Sequence, residues 1–480
     1  MTLRTLLAAA AAGLGVTATG AAATGATSAT SAAQWSQPAS LLACPSAGAP
    51  RVLFPSGMPT QGTGPGAIVW AASPSCPGGE GARVAVVGPG EVPGSATIPT
   101  TASDRQIAPR GALTVTTGPR GEIVIAGASA GPQPQGLLVQ GRAGGAFSQL
   151  ASIPDPFTPN ALTTAYLGDV ALASPAPTGQ LAAGPSVRVE RFFAHQLVPR
   201  VASSMAARSA AWLASRAAGS QASSTQPLDA LTLALDYRSD ALAVWAQGGE
   251  LYTHDLPASG AEHPVQRLAR VGAQLKVAAL LSDDNRAIVV WVEDEHGQTS
   301  VYIDRSSTGV RFGAPTLLER FADPDGLSSP AGSPSLVRLS SESVMLAWAG
   351  AANGHWVVRT TAVDQRGAGN IETIAAPGID VLLDTLAPGP NSDALALWSE
   401  PQPSASGAPD LESQAIFAAR GIDTYPDRAL FGAPELIAAP GPNSDATVAL
   451  DPDSDSALAA WLGEGGMLQY AIRTGSASAR

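Results

Sequence analysis

The sequence predicts an all-β chain folded as a β-propeller, with eight four-stranded blades and seven as the alternative count. Three observations carry that expectation. A short apolar strand ending in Trp keeps returning, three further strands surround each copy, and turn-forming residues are abundant. With 51 Gly and 40 Pro among 480 residues, the composition favours short strands and many turns over long helices. A hydrophobic content of 45% excludes a wholly disordered chain.

The repeat is clearest after residue 230. SDALAVW (239–245), NRAIVVW (285–291), ESVMLAW (342–348), SDALALW (392–398) and DSALAAW (455–461) share a polar turn, an apolar strand and a final Trp. Strands such as LTLALD (231–236) and LKVAALL (275–281) precede them. A third strand follows each, as in ELYTHDL (250–256) and TSVYIDR (299–305), and a fourth closes the unit, as in RFGAPTLLE (311–319) and LFGAPELIAA (430–439). Four strands per unit of about 50 residues is the arithmetic of a propeller blade. Stacked sandwiches or unrelated hairpins would not return one landmark at similar intervals. The N-terminal half is more degenerate: AIVWAAS (67–73), GEIVIAG (121–127) and GDVALAS (168–174) stand where second strands belong. One stretch departs from the pattern. Residues 203–219 have a Ser N-cap, an Ala-rich body and a Gly C-cap, which predict a helical insertion packing Met205, Trp212 and Leu213 on a blade edge.

The two ends complement each other. The last unit stops at its third strand, MLQYAIR (467–473), and QWSQPASLLA (34–43) matches the aromatic, Pro and apolar order of the fourth strands. Residues 34–43 are therefore expected to complete the last blade and close the ring. Met1 to Ala33 reads as a secretory signal peptide, with Arg4 at its start, an apolar core over Leu6–Val16 and small residues before the cleavage site. That leaves 34–480 as a mature propeller, secreted or associated with the cell envelope. Cys44 and Cys76, the only cysteines, are expected to form a disulfide in that compartment.

Charge and hydropathy exclude several partners. The net charge is −12, the only lysine is Lys276, and no basic cluster exists, so nucleic acid is not expected. No apolar run approaches the roughly 20 residues needed to span a membrane. A monomer is expected.

Residue patterns that carry chemistry are few in this chain. Gly127–Gly131 matches G-x-S-x-G, but Pro132 and Pro134 preclude the helix that a nucleophile elbow needs. Asp451, Asp453 and Asp455 alternate as in Ca²⁺ loops, yet Ser456 and Leu462 stand where a Gly and an acid belong, so they are a weak Ca²⁺ candidate. No other metal or cofactor motif is present. The hairpins between second and third strands offer candidate binding residues: Glu293, Asp294, Glu295, His296, Asn353, His355, Glu400 and Glu464, with a long loop at 399–413. Acids gathered at one opening would suit a cation, a sugar or a basic peptide, or would pair as acid and base.

The units resemble those of secreted bacterial propellers of the sialidase-like and TolB-like kind. LDPDSDSALAAW (450–461) approximates the TolB-like turn without its Gly. The S-x-D-x-G-x-T-W boxes and F/Y-R-I-P motif of sialidases are absent, so no arginine is assigned to a triad. The first expectation is a non-catalytic exported propeller that binds a glycan or protein at the cell envelope. The alternatives are a glycan-active hydrolase or lyase with an acidic central site and a structural assembly component.

Overall fold

The computed structural model describes residues 34–474 outside 55–64, 77–80, 89–106, 109–112, 119–120, 130–135, 143–144, 146, 154–160, 166–168, 176–186, 193–211, 214–227, 260–262, 273, 325–332, 340–342, 365, 375–379, 390–392, 405–408, 425–427, 452–453 and 455. The expected signal peptide, 1–33, lies outside the described residues.

Eight antiparallel sheets form an eight-bladed propeller. Their inner strands are Arg51–Leu53, Thr114–Thr117, Ala161–Thr164, Leu228–Leu235, Gln274–Leu281, Ser335–Arg338, Leu382–Pro388 and Ser444–Leu450. Each touches the next, and the eighth touches the first, so the ring is complete. Inner, second, third and outer strands follow in chain order from the second blade through the seventh; in the first blade three strands are described. The eighth takes its outer strand, Ala39–Pro45, from the N-terminal end, paired antiparallel to Met467–Arg473. Closure therefore occurs as the sequence implied. The strand reaches two residues past the expected 43, and Trp35 adds a separate bridge to Arg473.

The core lies between blades, not within them. Each second strand is apolar on both faces because a neighbouring blade covers each one. In Ala287–Glu295, Val289 and Trp291 pack toward the fourth blade, and Val290 and Val292 toward the sixth. The landmark tryptophans Trp70, Trp245, Trp291, Trp348, Trp398 and Trp461 are all fully buried, each filling the interface with the preceding blade. Third strands supply ring partners directly across: Trp245 stacks on Tyr252, Trp291 on Tyr302 and Trp398 on Phe417. Opposite Trp348 stands Arg359 instead. There Glu319, from the outer strand of the fifth blade, accepts from Trp348 Nε1 at 2.8 Å and from Arg359 Nε at 3.1 Å, clipping two blades together.

Two expectations need correction. Within the proposed helix, Trp212–Leu213 is the outer strand of the third blade, paired with Arg188 and Val189; the rest of 203–219 lies outside the described residues. An open third-strand edge offers hydrogen bonds that outweigh a modest helix propensity there. The long loop at 399–413 is mostly hairpin: Asp393–Pro403 and Pro409–Thr424 stay paired past a bulge as far as Pro403 and Pro409.

Candidate functional site

The expected binding residues occupy the hairpins at one end of the blades. In the fifth blade, His296 (φ 56) and Gly297 (φ 74) form a two-residue turn, as Asn353 (φ 54) and Gly354 (φ 80) do in the sixth. Positive φ at both positions is the type I′ requirement, so His296 and Asn353 are where a tight hairpin needs a tolerant residue. Glu293 accepts the Gly272 amide at 3.1 Å; burial pushes its carboxyl up, and the nearby Glu295 carboxylate adds to the shift. Asp294 is half-buried, while Glu295, His296 and Glu464 are exposed. His355 Nδ1 lies 3.5 Å from Asp380 Oδ1, which also accepts the Trp356 amide. Glu400 is buried beneath its hairpin, where it accepts from Trp398 Nε1 at 2.8 Å. The structure thus brings Glu293 and Glu295 together but ties Glu400 and His355 into the packing of their own regions.

At the same end, the inner strands carry charges that single-unit reading does not connect. Burial pushes the Asp384 carboxyl up to about 7, against a 2.6 Å hydrogen bond from Ser399 Oγ, and the Asp445 carboxylate pushes it further. Asp445 also acts on the guanidinium of Arg51, the exposed first residue of its inner strand. Lys276 is half-buried on its inner strand, and desolvation lowers its ammonium. Arg51, Asp384 and Asp445 stand on the inner strands of the first, seventh and eighth blades, so closure of the ring brings Arg51 to Asp445, while Lys276 stands apart on the fifth blade.

The opposite end carries the turns between inner and second strands and holds two adjoining cavities. The first, about 640 Å³, is lined by inner strands of the third to sixth blades and therefore sits on the ring axis. Its apolar walls include Leu233, Leu235, Leu280 and Leu281, and its polar groups are Thr163, Asp236, Tyr237, Asp283 and Arg338. Asp236 Oδ1 accepts the amides of Arg238 (2.9 Å) and Asp240 (2.8 Å), which caps the turn. Asp236 Oδ2 is buried without a partner, and burial pushes the carboxyl up to about 6. Tyr237 is exposed, and the Arg238 guanidinium lies 5.2 Å from its ring centre. Arg338 pairs with Asp283 at 2.9 Å and donates to the Leu281 carbonyl at 2.7 Å. The second cavity, about 420 Å³, is a cleft between the fifth and sixth blades and shares Arg338 and Leu280 with the first.

Asp451 occupies the turn position equivalent to Asp236. It is buried, its amide closes the turn to Ser456, and it accepts from Ser454 Oγ at 2.8 Å. This gives Asp451 a turn-capping role; Asp453 and Asp455 lie outside the described residues. Among the described residues no group of three or more His, Cys, Asp or Glu is arranged to hold a metal. No described helix is long and apolar enough to cross a membrane.

Cys44 lies in the closing strand. Cys76 Sγ is 3.4 Å from the carbonyl oxygen of Pro45, the residue after Cys44, and the amides of Ala47 and Ser73 donate to the carbonyls of Ala71 and Pro45. The closing strand therefore continues onto the first blade.

No family model and no curated protein matches the chain. Solved structures with some likeness include an ulvan lyase of polysaccharide lyase family 25 (TM-score 0.45, 11% identity, 90% of this chain and 95% of that one). Others are the β-propeller domain of the Trilobed protease from Pyrococcus furiosus (0.41, 9%, 76% and 98%) and the NanB sialidase from Streptococcus pneumoniae (0.36, 10%, 78% and 69%). Likeness this distant says nothing about chemistry, so function has to be read from the site.

Proposed function

We propose that the mature chain is an exported, non-catalytic propeller that binds a glycan at the cell envelope in its axial cavity. The observation that carries this reading is Asp236, a buried carboxylate whose Oδ2 has no partner, in the wall of a cavity of about 640 Å³ otherwise lined largely by leucines. Ligand sites are typically concave and apolar, with a few polar groups that fix orientation. A sugar fits that division: its C–H face covers Leu233, Leu235, Leu280 and Leu281, and a hydroxyl donates to Asp236 Oδ2. Export through 1–33, a Cys44–Cys76 bond and a monomeric state complete the reading.

A second reading, glycan hydrolysis, draws on the same cavity. Asp236, raised to about 6, retains its proton in mild acid as a general acid must, and Asp283 is a second carboxylate in the same wall. Co-sedimentation of residues 34–480 with isolated cell-wall polysaccharide tests both. Retention without polymer shortening, lost in Asp236→Ala, supports the binding propeller. Release of fragments promotes the hydrolase, and absence of retention removes both and leaves a protein partner.

A further inference from the structure

Asp236 is 2% exposed, yet it stands in the wall of the axial cavity with Oδ2 unpartnered. Capping its turn needs only Oδ1, which takes both amides. At the equivalent turn of the eighth blade, Asp451 Oδ2 is taken up by Ser454 Oγ. The charges around Asp236 run negative. Burial raises its carboxyl, and the carboxylates of Asp240 and Asp283 push it further. The nearby cations are engaged elsewhere. Arg338, the only cation among the described residues lining the cavity, pairs with Asp283 and donates to the Leu281 carbonyl. Arg191 is buried, donates to the carbonyls of Ser239 and Leu256, and is shared by Asp169, Asp236, Asp240 and Asp255. Arg238 is exposed against the Tyr237 ring, and His263 pairs with Asp255. Asp169, Asp236, Asp240, Asp255 and Asp283 thus face three guanidiniums and an imidazole that is charged only when protonated. A buried carboxylate oxygen without a donor is costly, and an ammonium supplies both the missing charge and N–H donors.

We infer that the axial cavity takes a saccharide bearing a free, protonated amine, with Asp236 as the acid that holds the ammonium and Asp283, in the same wall, as the second. The inference rests on the glycan-binding reading above and narrows it to amino sugars. The leucine wall still covers the C–H face of the ring, and the amine takes the place of a hydroxyl at Asp236 Oδ2.

The experiment compares, by calorimetry on residues 34–480, a glucosamine oligosaccharide with the glucose oligosaccharide of the same length and linkage, in which a hydroxyl replaces each amine. The amino form is expected to bind about tenfold more tightly or better near neutral pH, the scale of one charge-assisted hydrogen bond. Asp236→Asn keeps an acceptor for the turn amides but removes the charge, and in that variant the ratio of the two affinities should close. Wild type supplies a second readout that needs no substitution. From about pH 7 to 5 Asp236, at about 6, takes up its proton, so the preference should shrink. The ligand amine only gains protons over that range, so a shrinking preference reports the protein. Equal affinity for the two sugars overturns the inference and leaves the glycan reading standing. A preference that survives in Asp236→Asn, or that does not change with pH in wild type, also overturns it. Binding of neither sugar removes the glycan reading and the inference together.

Discussion

Ala39 stands directly across from Tyr470, so the first described strand and the last share one sheet although 431 positions separate them in the chain. Ser36 reinforces the seam, exchanging a backbone and a side-chain hydrogen bond with Ile472 at 2.7 and 3.0 Å, while Leu41 is buried in the core shared by the eighth and first blades. Removing residues 34–45 would open this edge and expose that core. A truncated chain is expected to melt many degrees lower, and to bind a dye for exposed apolar surface, as judged by scanning calorimetry and fluorescence.

The disulfide expected between Cys44 and Cys76 would fasten the same seam. It would close a loop of about 30 residues, a constraint on the unfolded chain of about 3–4 kcal/mol. Thiol titration of the unfolded, unreduced protein should find no free thiol. Cys44→Ser/Cys76→Ser should then melt lower than wild type, and adding reductant should not lower that variant further.

Glu400 tests whether a hairpin acid binds or supports. Its carboxylate is buried and accepts from Trp398 Nε1, so Glu400→Ala leaves an indole N–H unpaired in the interface with the sixth blade. The cost should be about 1–3 kcal/mol in urea unfolding, with retention on cell-wall polysaccharide unchanged. Trp398→Ala should cost more, about 3–5 kcal/mol, because a cavity replaces the whole ring system.

Legibility in the sequence follows from where each signal resides. Trp245, Trp291, Trp348, Trp398 and Trp461 mark second strands because both faces of those strands are covered, so a continuous apolar run with a bulky end recurs within each unit. The closing strand was legible because Trp35 and Leu41 repeat the fourth-strand order. The site was not. Arg51, Lys276, Asp384 and Asp445 lie one per inner strand of four blades, so no local window holds them. His296 and Asn353 are polar loop residues in sequence, but their turns demand positive φ whatever the protein binds. The one local clue was the acid that opens the turn before a Trp strand: Asp236 and Asp451 share that place, and only Asp236 is left with a buried, unpaired oxygen.

The two raised carboxylates set a direction for pH dependence. Asp384 (about 7) and Asp236 (about 6) both hold their protons more tightly in the folded chain than the ordinary 3.8 of an unfolded aspartate. Between about pH 4 and 7 the folded state therefore binds more protons than the unfolded one, and stability falls as pH rises through that window and levels off above it. From pH 5 to 7.5, Asp384 alone accounts for about 2–3 kcal/mol of that loss. Burial also raises Asp255 and Asp304, and both act in the same direction. Asp384→Asn keeps an acceptor for Ser399 Oγ but removes the ionisation. Urea midpoints at the two pH values should show wild type losing stability on the alkaline side and the variant losing distinctly less, so that the advantage of the variant is larger at pH 7.5 than at pH 5. Parallel pH profiles for the two chains would mean that Asp384 ionises freely in the folded ring, and that the inner strands do not enclose it.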